Sequence, residues 1–134
     1  MSDCRFCLIS KGALPCHKVW ENSKLLAFLD VNPINAGHTL LITKSHLEYI
    51  FEMKEQFYSE LLAAAKMLSE PIRRAAGSKR VGMAIEGFSV PHVHIHLVPV
   101  NEKNELNPNR AVPATKGELS AMVKRIRTEL DAIG

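Results

Sequence analysis

Long apolar runs are missing from this 134-residue chain, and with them any candidate membrane span, which needs roughly 18 or more such residues together. Strong charge asymmetry is missing too. The 17 Lys and Arg against 14 Asp and Glu leave a formal net charge of +3. Basic residues gather only in short runs such as Arg73-Arg74 and Lys79-Arg80, which offer no dedicated nucleic-acid surface. Cysteine is scarce, and its count of three is odd. That argues against a disulfide framework and suits a reducing compartment. The opening residues, Met1 to Cys7, carry no apolar stretch of a secretory signal. These absences predict a cytoplasmic protein with neither membrane nor nucleic acid as a partner. No Gly/Ser linker, repeat or low-complexity tract interrupts the chain, so residues 1–134 are expected to form a single domain. What is present is ordinary. Hydrophobic residues make up 46% and charged ones 23%, the composition of a globular domain. A chain of this length buries roughly two-thirds of its extended surface.

Local patterns predict an α+β fold with a mostly antiparallel sheet. Val19 to Leu29 reads as two strands around a polar turn at Asn22-Ser23. Asp30 to Gly37 is turn-rich, and Thr39 to Thr43 is short, β-branched and apolar, a buried strand. Between Lys54 and Ala76, the residues Phe57, Leu61, Ala64, Leu68, Ile72 and Ala75 recur at helical spacing and form one apolar stripe. Pro71 within it predicts a kink or a break near Ser69-Glu70. Val81 to Glu86 and Val90 to Val100 are expected strands, and 101–114, with Pro108 and Pro113, a long polar loop. Thr115 and Glu118 have the spacing of a capping box. Leu119, Met122, Ile126, Leu130 and Ile133 then give the stripe of a final helix.

Three of the six histidines fall in His92-Val93-His94-Ile95-His96. On a strand, alternate side chains share a face, so the imidazoles line one side and Val93, Ile95 and Leu97 the other. Three uses for such a face compete. It could be a solvated polar face, although surface strands favour Thr, Lys or Glu. It could bind a metal, although the outer rings of three spaced roughly 6.8 Å apart do not converge easily on one ion. It could also perform phosphoryl chemistry, one ring attacking phosphorus while its neighbours neutralise the oxygens.

Cys4-Arg5-Phe6-Cys7 is a Cys-x-x-Cys pair with no strand before it, which fits zinc better than redox chemistry. Two further ligands are needed, and His17, His46 and His92 are the candidates. Cys16 has no partner in this scheme and is expected to be buried.

The run His92-Val93-His94-Ile95-His96-Leu97-Val98 matches His-φ-His-φ-His-φ-φ, with φ apolar. Phe28-Leu29-Asp30, Gly37-His38, Lys44-Ser45-His46 and Gly87-Phe88-Ser89-Val90 accompany it at the expected places. From about Cys4 to Val100 the chain resembles the histidine-triad (HIT) family, in its Hint-like, nucleotide-binding branch. The resemblance implies a HIT-like fold with one long central helix and a C-terminal helix. It implies that His94 is a nucleophile forming a nucleotidyl-imidazole, that His96 and His38 attend the phosphate, and that Ser89 lies near the leaving group. It implies that Asp30 takes the ribose hydroxyls and that Phe6, Ile9, Phe28 and Val31 hold a purine. It also implies structural zinc on Cys4, Cys7, His46 and His92, with no cofactor needed for catalysis, and a homodimer paired through the long helix and a neighbouring strand.

On the residues alone, Asp30 could simply organise a turn, Ser89 could be an ordinary strand hydroxyl, and Phe28 could be core. Phe88 stands where many relatives have Gln, and the loop before it looks shorter, which bears on substrate choice. The implied activity is hydrolysis of purine nucleoside phosphoramidates or related conjugates, releasing AMP or GMP. A dinucleoside polyphosphate hydrolase, a purine-nucleotide regulatory protein and a zinc hydrolase using the triad as ligands are the alternatives.

Overall fold

The side-chain oxygen of Asn22 accepts from the amides of Lys24 and Leu25, at 2.9 and 2.8 Å. This local turn closes the hairpin between β1 (Lys18–Glu21) and β2 (Leu25–Leu29). The computed structural model describes residues 4–133. Three more strands, β3 (Thr39–Thr43), β4 (Arg80–Ala84) and β5 (His94–Val100), complete an antiparallel sheet in the order β1-β2-β3-β5-β4.

Strand parity divides the sheet into two apolar faces. Leu25, Ala27, Leu29, Leu41, Ile95 and Leu97 enter the main core, beneath α2 (Glu55–Ala76) and α3 (Lys116–Ile133). Leu26, Phe28, Leu40 and Ile42 point the other way, where Phe6 of α1 (Arg5–Ser10) packs on them. His94 stands opposite Ile42 and His96 opposite Leu40. The histidines therefore lie on the face the two long helices leave uncovered.

Several expectations need correction. The helix does not break at Pro71: it runs unbroken from Glu55 to Ala76. Leu61, Leu68 and Ile72, all fully buried on the core side, hold both halves against the sheet and α3. Gly77, at φ +67, ends it, as a residue without Cβ can at no steric cost. The apolar stripe of α2 is taken up within the chain by the sheet and α3. The histidine strand starts at His94 rather than Val90. Pro91 has no amide hydrogen, the His92 amide turns back to Val90 O at 2.8 Å, and the Val93 amide bonds to Leu47 O at 2.7 Å. The preceding strand spans Arg80–Ala84, so Ile85 and Glu86 fall outside it. The loop at 101–114 contains a 3₁₀ turn at Pro108–Arg110. The capping box is present: the Thr115 amide donates to Glu118 Oε1 at 2.8 Å and the Glu118 amide to Thr115 Oγ1 at 3.1 Å.

Candidate active site and metal centre

A cavity of about 780 Å³ opens on the α1 side of the sheet. Phe6, Ile9, Phe28, Val31, Asp30, Ser89, His94 and His96 all line it. Parity brings Phe28 and the two histidines to this face, and α1 adds Phe6 and Ile9 as an apolar wall. Phe6 meets Phe28 edge-on at 5.8 Å between centroids and His94 at 5.0 Å. Phe28 is thus both core and cavity wall. One oxygen of Asp30 accepts the Asn32 amide at 2.9 Å and organises the turn. The same residue borders the cavity, so its turn role and a ligand role are compatible.

Two of the three imidazoles are buried, His92 at 0% and His94 at 3% exposed, and His96 is half-buried. His94 Nδ1 donates to His92 O at 2.6 Å. Its Nε2 has no partner among the described residues and is not sealed from the cavity. His38 does not line this cavity. It lies behind His96, with its Nε2 at 3.0 Å from His96 Nδ1. Burial, opposed by Asp30 and assisted by His96, pushes the His38 pKa down to about 4. Burial and the neighbouring His94 push His96 down as well. Both shifts favour the neutral rings of His38 and His96 near pH 7.

The four expected zinc ligands converge. One donor atom from each of Cys4, Cys7, His46 and His92 falls within 4.8 Å of all the others. Cys7 Sγ is 3.2 Å from His46 Nδ1, and Cys4 Sγ is 3.4 Å from His92 Nδ1. The remaining ring nitrogens are occupied: His92 Nε2 donates to Thr43 O at 2.6 Å, and His46 Nε2 meets Glu48 at 3.1 Å. Both bonds place the ring proton on Nε2 and turn the Nδ1 lone pairs inward, the outer-shell arrangement of metal-binding histidines. Burial pushes the Cys7 thiol up, while at Cys4 burial is outweighed by hydrogen bonds from the Cys7 backbone and side chain, which pull that thiol down. Two thiols this close resist joint ionisation without a cation between them. The residues fit zinc, which would here be a cross-link between α1 and the approach to β5, with four protein ligands and none left open for chemistry. Among the described residues His94 belongs to no such cluster, and His92 is turned to the cysteines, so the triad does not gather on one ion.

Of the remaining candidates, His17 lines the cavity and takes no part in the cysteine cluster. Cys16 is half-buried on the cavity wall rather than in the core. Residue-level reasoning missed Lys116, which reaches the cavity because the Val112 and Ala114 amides bond to Pro33 O and Val31 O at 3.3 and 3.0 Å. Those bonds are main-chain only, so no side-chain pattern announces them. Phe88 is 87% exposed and absent from the cavity lining.

Comparison with known proteins agrees with this geometry. The profile of the HIT domain matches residues 11–103. An uncharacterized HIT-like protein of Borreliella burgdorferi is 39% identical over 106 residues, 74% of this chain and 76% of its own. The adenosine 5'-monophosphoramidase of Schizosaccharomyces pombe is 31% identical over 131 residues, 95% and 98% of the two chains. The crystal structure of a zinc-bound histidine triad family protein from Mycobacterium smegmatis has a TM-score of 0.84 at 22% identity, covering 98% of this chain and 96% of that one. At that identity it attests the fold. With its fold, its buried histidine strand and the matched domain together, the chain belongs to the HIT (histidine triad) family.

Proposed function

We propose that the protein is a nucleotidyl hydrolase acting on purine nucleoside phosphoramidates or related conjugates through a covalent intermediate on His94. One observation carries this reading. The His92 carbonyl holds the Nδ1 hydrogen of His94, and the free Nε2 lone pair opens on a cavity with an apolar slot at one side and Asp30 at another. The lone pair attacks the α-phosphorus, and the bond to the leaving group breaks with its electron pair going to that group, which takes up a proton. Water then attacks phosphorus, the His94–phosphorus bond breaks, and nucleoside monophosphate and a proton leave. His96 donates to the phosphate oxygens, Ser89 faces the leaving group, and zinc serves structure alone. The S. pombe relative's activity supports the substrate class.

The test is a panel of AMP phosphoramidate, adenylyl sulfate and a dinucleoside polyphosphate, with release of AMP as readout. Turnover led by the phosphoramidate is expected. A preference for the dinucleotide would shift the substrate, and binding of AMP with no turnover of any member would make the protein a nucleotide-binding regulator.

Asp30 is proposed to take both ribose hydroxyls. Since one of its oxygens already serves Asn32, the other is the one open to a ligand. AMP should bind better than 2'-deoxy-AMP to the wild type, by roughly a factor of five to ten for one lost hydrogen bond, and the preference should vanish in Asp30→Ala. A preference that survives the substitution makes Asp30 a turn residue only.

We also infer a symmetric homodimer. Its support is the edge position of β4, where Met83 is half exposed and, among the described residues, the backbone groups on one side have no neighbouring strand. Sedimentation at micromolar concentration should give twice the chain mass; a monomer would refute the pairing.

A further inference from the structure

Two neighbouring imidazoles on β5 are held by partners of opposite kind. His94 Nδ1 faces the His92 carbonyl. A carbonyl only accepts, so the His94 hydrogen is on Nδ1 and Nε2 keeps its lone pair. His96 Nδ1 faces His38 Nε2 at 3.0 Å, and that contact alone does not say which ring donates. The far side of His38 decides it. The Ile34 amide donates to His38 Nδ1 at 3.1 Å. A backbone N–H cannot accept, so His38 Nδ1 is unprotonated, and a neutral His38 carries its hydrogen on Nε2. That hydrogen points to His96 Nδ1, because Asp30 Oδ2, at 3.7 Å, lies beyond hydrogen-bond range. His96 must then carry its own hydrogen on Nε2, the nitrogen left for the cavity.

We propose that His38 is a positioning residue which does not touch substrate and which locks His96 in the Nε2–H tautomer, so that β5 offers a lone pair at His94 and a hydrogen-bond donor at His96. This rests on the reading of His94 as the nucleophile. Burial of His38, 2% exposed, supports it by keeping the ring neutral. The turn that supplies the Ile34 amide is itself pinned: Asn35 donates to Pro99 O at 2.7 Å and accepts from Arg110 at 2.9 Å. One consequence is that His96 stabilises phosphate charge and cannot take a proton from water at its cavity-side nitrogen. Another is that Asp30, His38 and His96, although within 4.8 Å of one another, do not make a metal site, because both nitrogens of His38 are engaged.

The experiment is ¹⁵N NMR of histidine-labelled protein near neutral pH, read through long-range proton–nitrogen couplings, which distinguish the two tautomers without any substrate. His96 and His38 should show the Nε2–H pattern and His94 the Nδ1–H pattern. In His38→Ala the His96 signal should move toward a tautomer mixture, and kcat should fall roughly tenfold to a hundredfold with KM little changed. His38→Gln, whose amide can donate from a similar position, should restore part of both. An Nδ1–H pattern at His96 in the wild type, or an unchanged His96 pattern in His38→Ala, overturns the proposal. The resting tautomers are legible even if no nucleotide is turned over, so failure of the proposed activity and failure of this inference are separate results.

Discussion

His94→Ala should lower turnover by at least ~10³-fold while AMP still binds, because removing the group that bonds to phosphorus leaves no substitute. Neither neighbour can replace it. His92 Nδ1 faces the cysteines, and the cavity-side nitrogen of His96 is proposed to carry hydrogen. The apolar wall and Asp30 remain in the variant, so nucleotide affinity should change little. His94 is 3% exposed and packs edge-on against Phe6, so truncation also leaves a cavity and costs some stability. His94→Asn is the control: its side-chain amide can still donate to the His92 carbonyl but has no nucleophilic nitrogen. Both variants should be inactive and bind AMP, by steady-state assay and titration. Near-normal turnover in His94→Asn, with loss in a His96 variant, would make the assignment wrong.

Removing the metal is expected to lower the melting temperature by about 10 °C or more. A structural zinc contributes folding free energy directly, and several kcal/mol spread over a domain of this size moves the midpoint by that much. The loss should be local before it is global. Cys4 precedes α1 and Cys7 lies within it, so release of the thiols frees the six-residue helix that holds Phe6 and Ile9 against the sheet. Substrate affinity should therefore weaken more than kcat, at temperatures where the rest of the fold persists. Cys7→Ser should reproduce both effects. Calorimetry of metal-loaded and chelated protein, with metal content measured alongside, checks this. A metal-free preparation as stable as the loaded one would remove zinc from the account, and zinc-reversible loss of kcat without destabilisation would return a catalytic metal.

The parts of this fold that were legible in the chain are those where period and burial coincide. β3 matches its expected span because Thr39 to Thr43 is apolar and buried on both faces. The split of His94 and His96 from Ile95 and Leu97 follows from a period of two. The start of the histidine strand was not legible, because the main-chain bonds of His92 and Val93 go to Val90 and Leu47 rather than to the sheet. Helix α1 is too short for a period to appear, and it takes its place by packing Phe6 onto the sheet. Pro71 is the reverse case: a local rule allowed a kink or a break, and packing on both sides of the proline keeps the helix unbroken. The metal ligands divide the same way. Cysteine spacing pointed to zinc, but choosing His46 and His92 over His17 took family resemblance. Physically the choice is made by the Thr43 carbonyl and Glu48, which orient those two rings.

The central claim is a covalent bond between phosphorus and one imidazole nitrogen. Rapid acid quench of the protein during turnover of AMP phosphoramidate, followed by mass spectrometry of its peptides, tests it directly. The expected result is an adenylyl adduct on the peptide that contains His94, absent from His94→Asn and chased away when substrate is exhausted. An adduct on His96 or His92, or turnover at full rate with no adduct on any histidine under conditions that preserve phosphoramidate bonds, would contradict it.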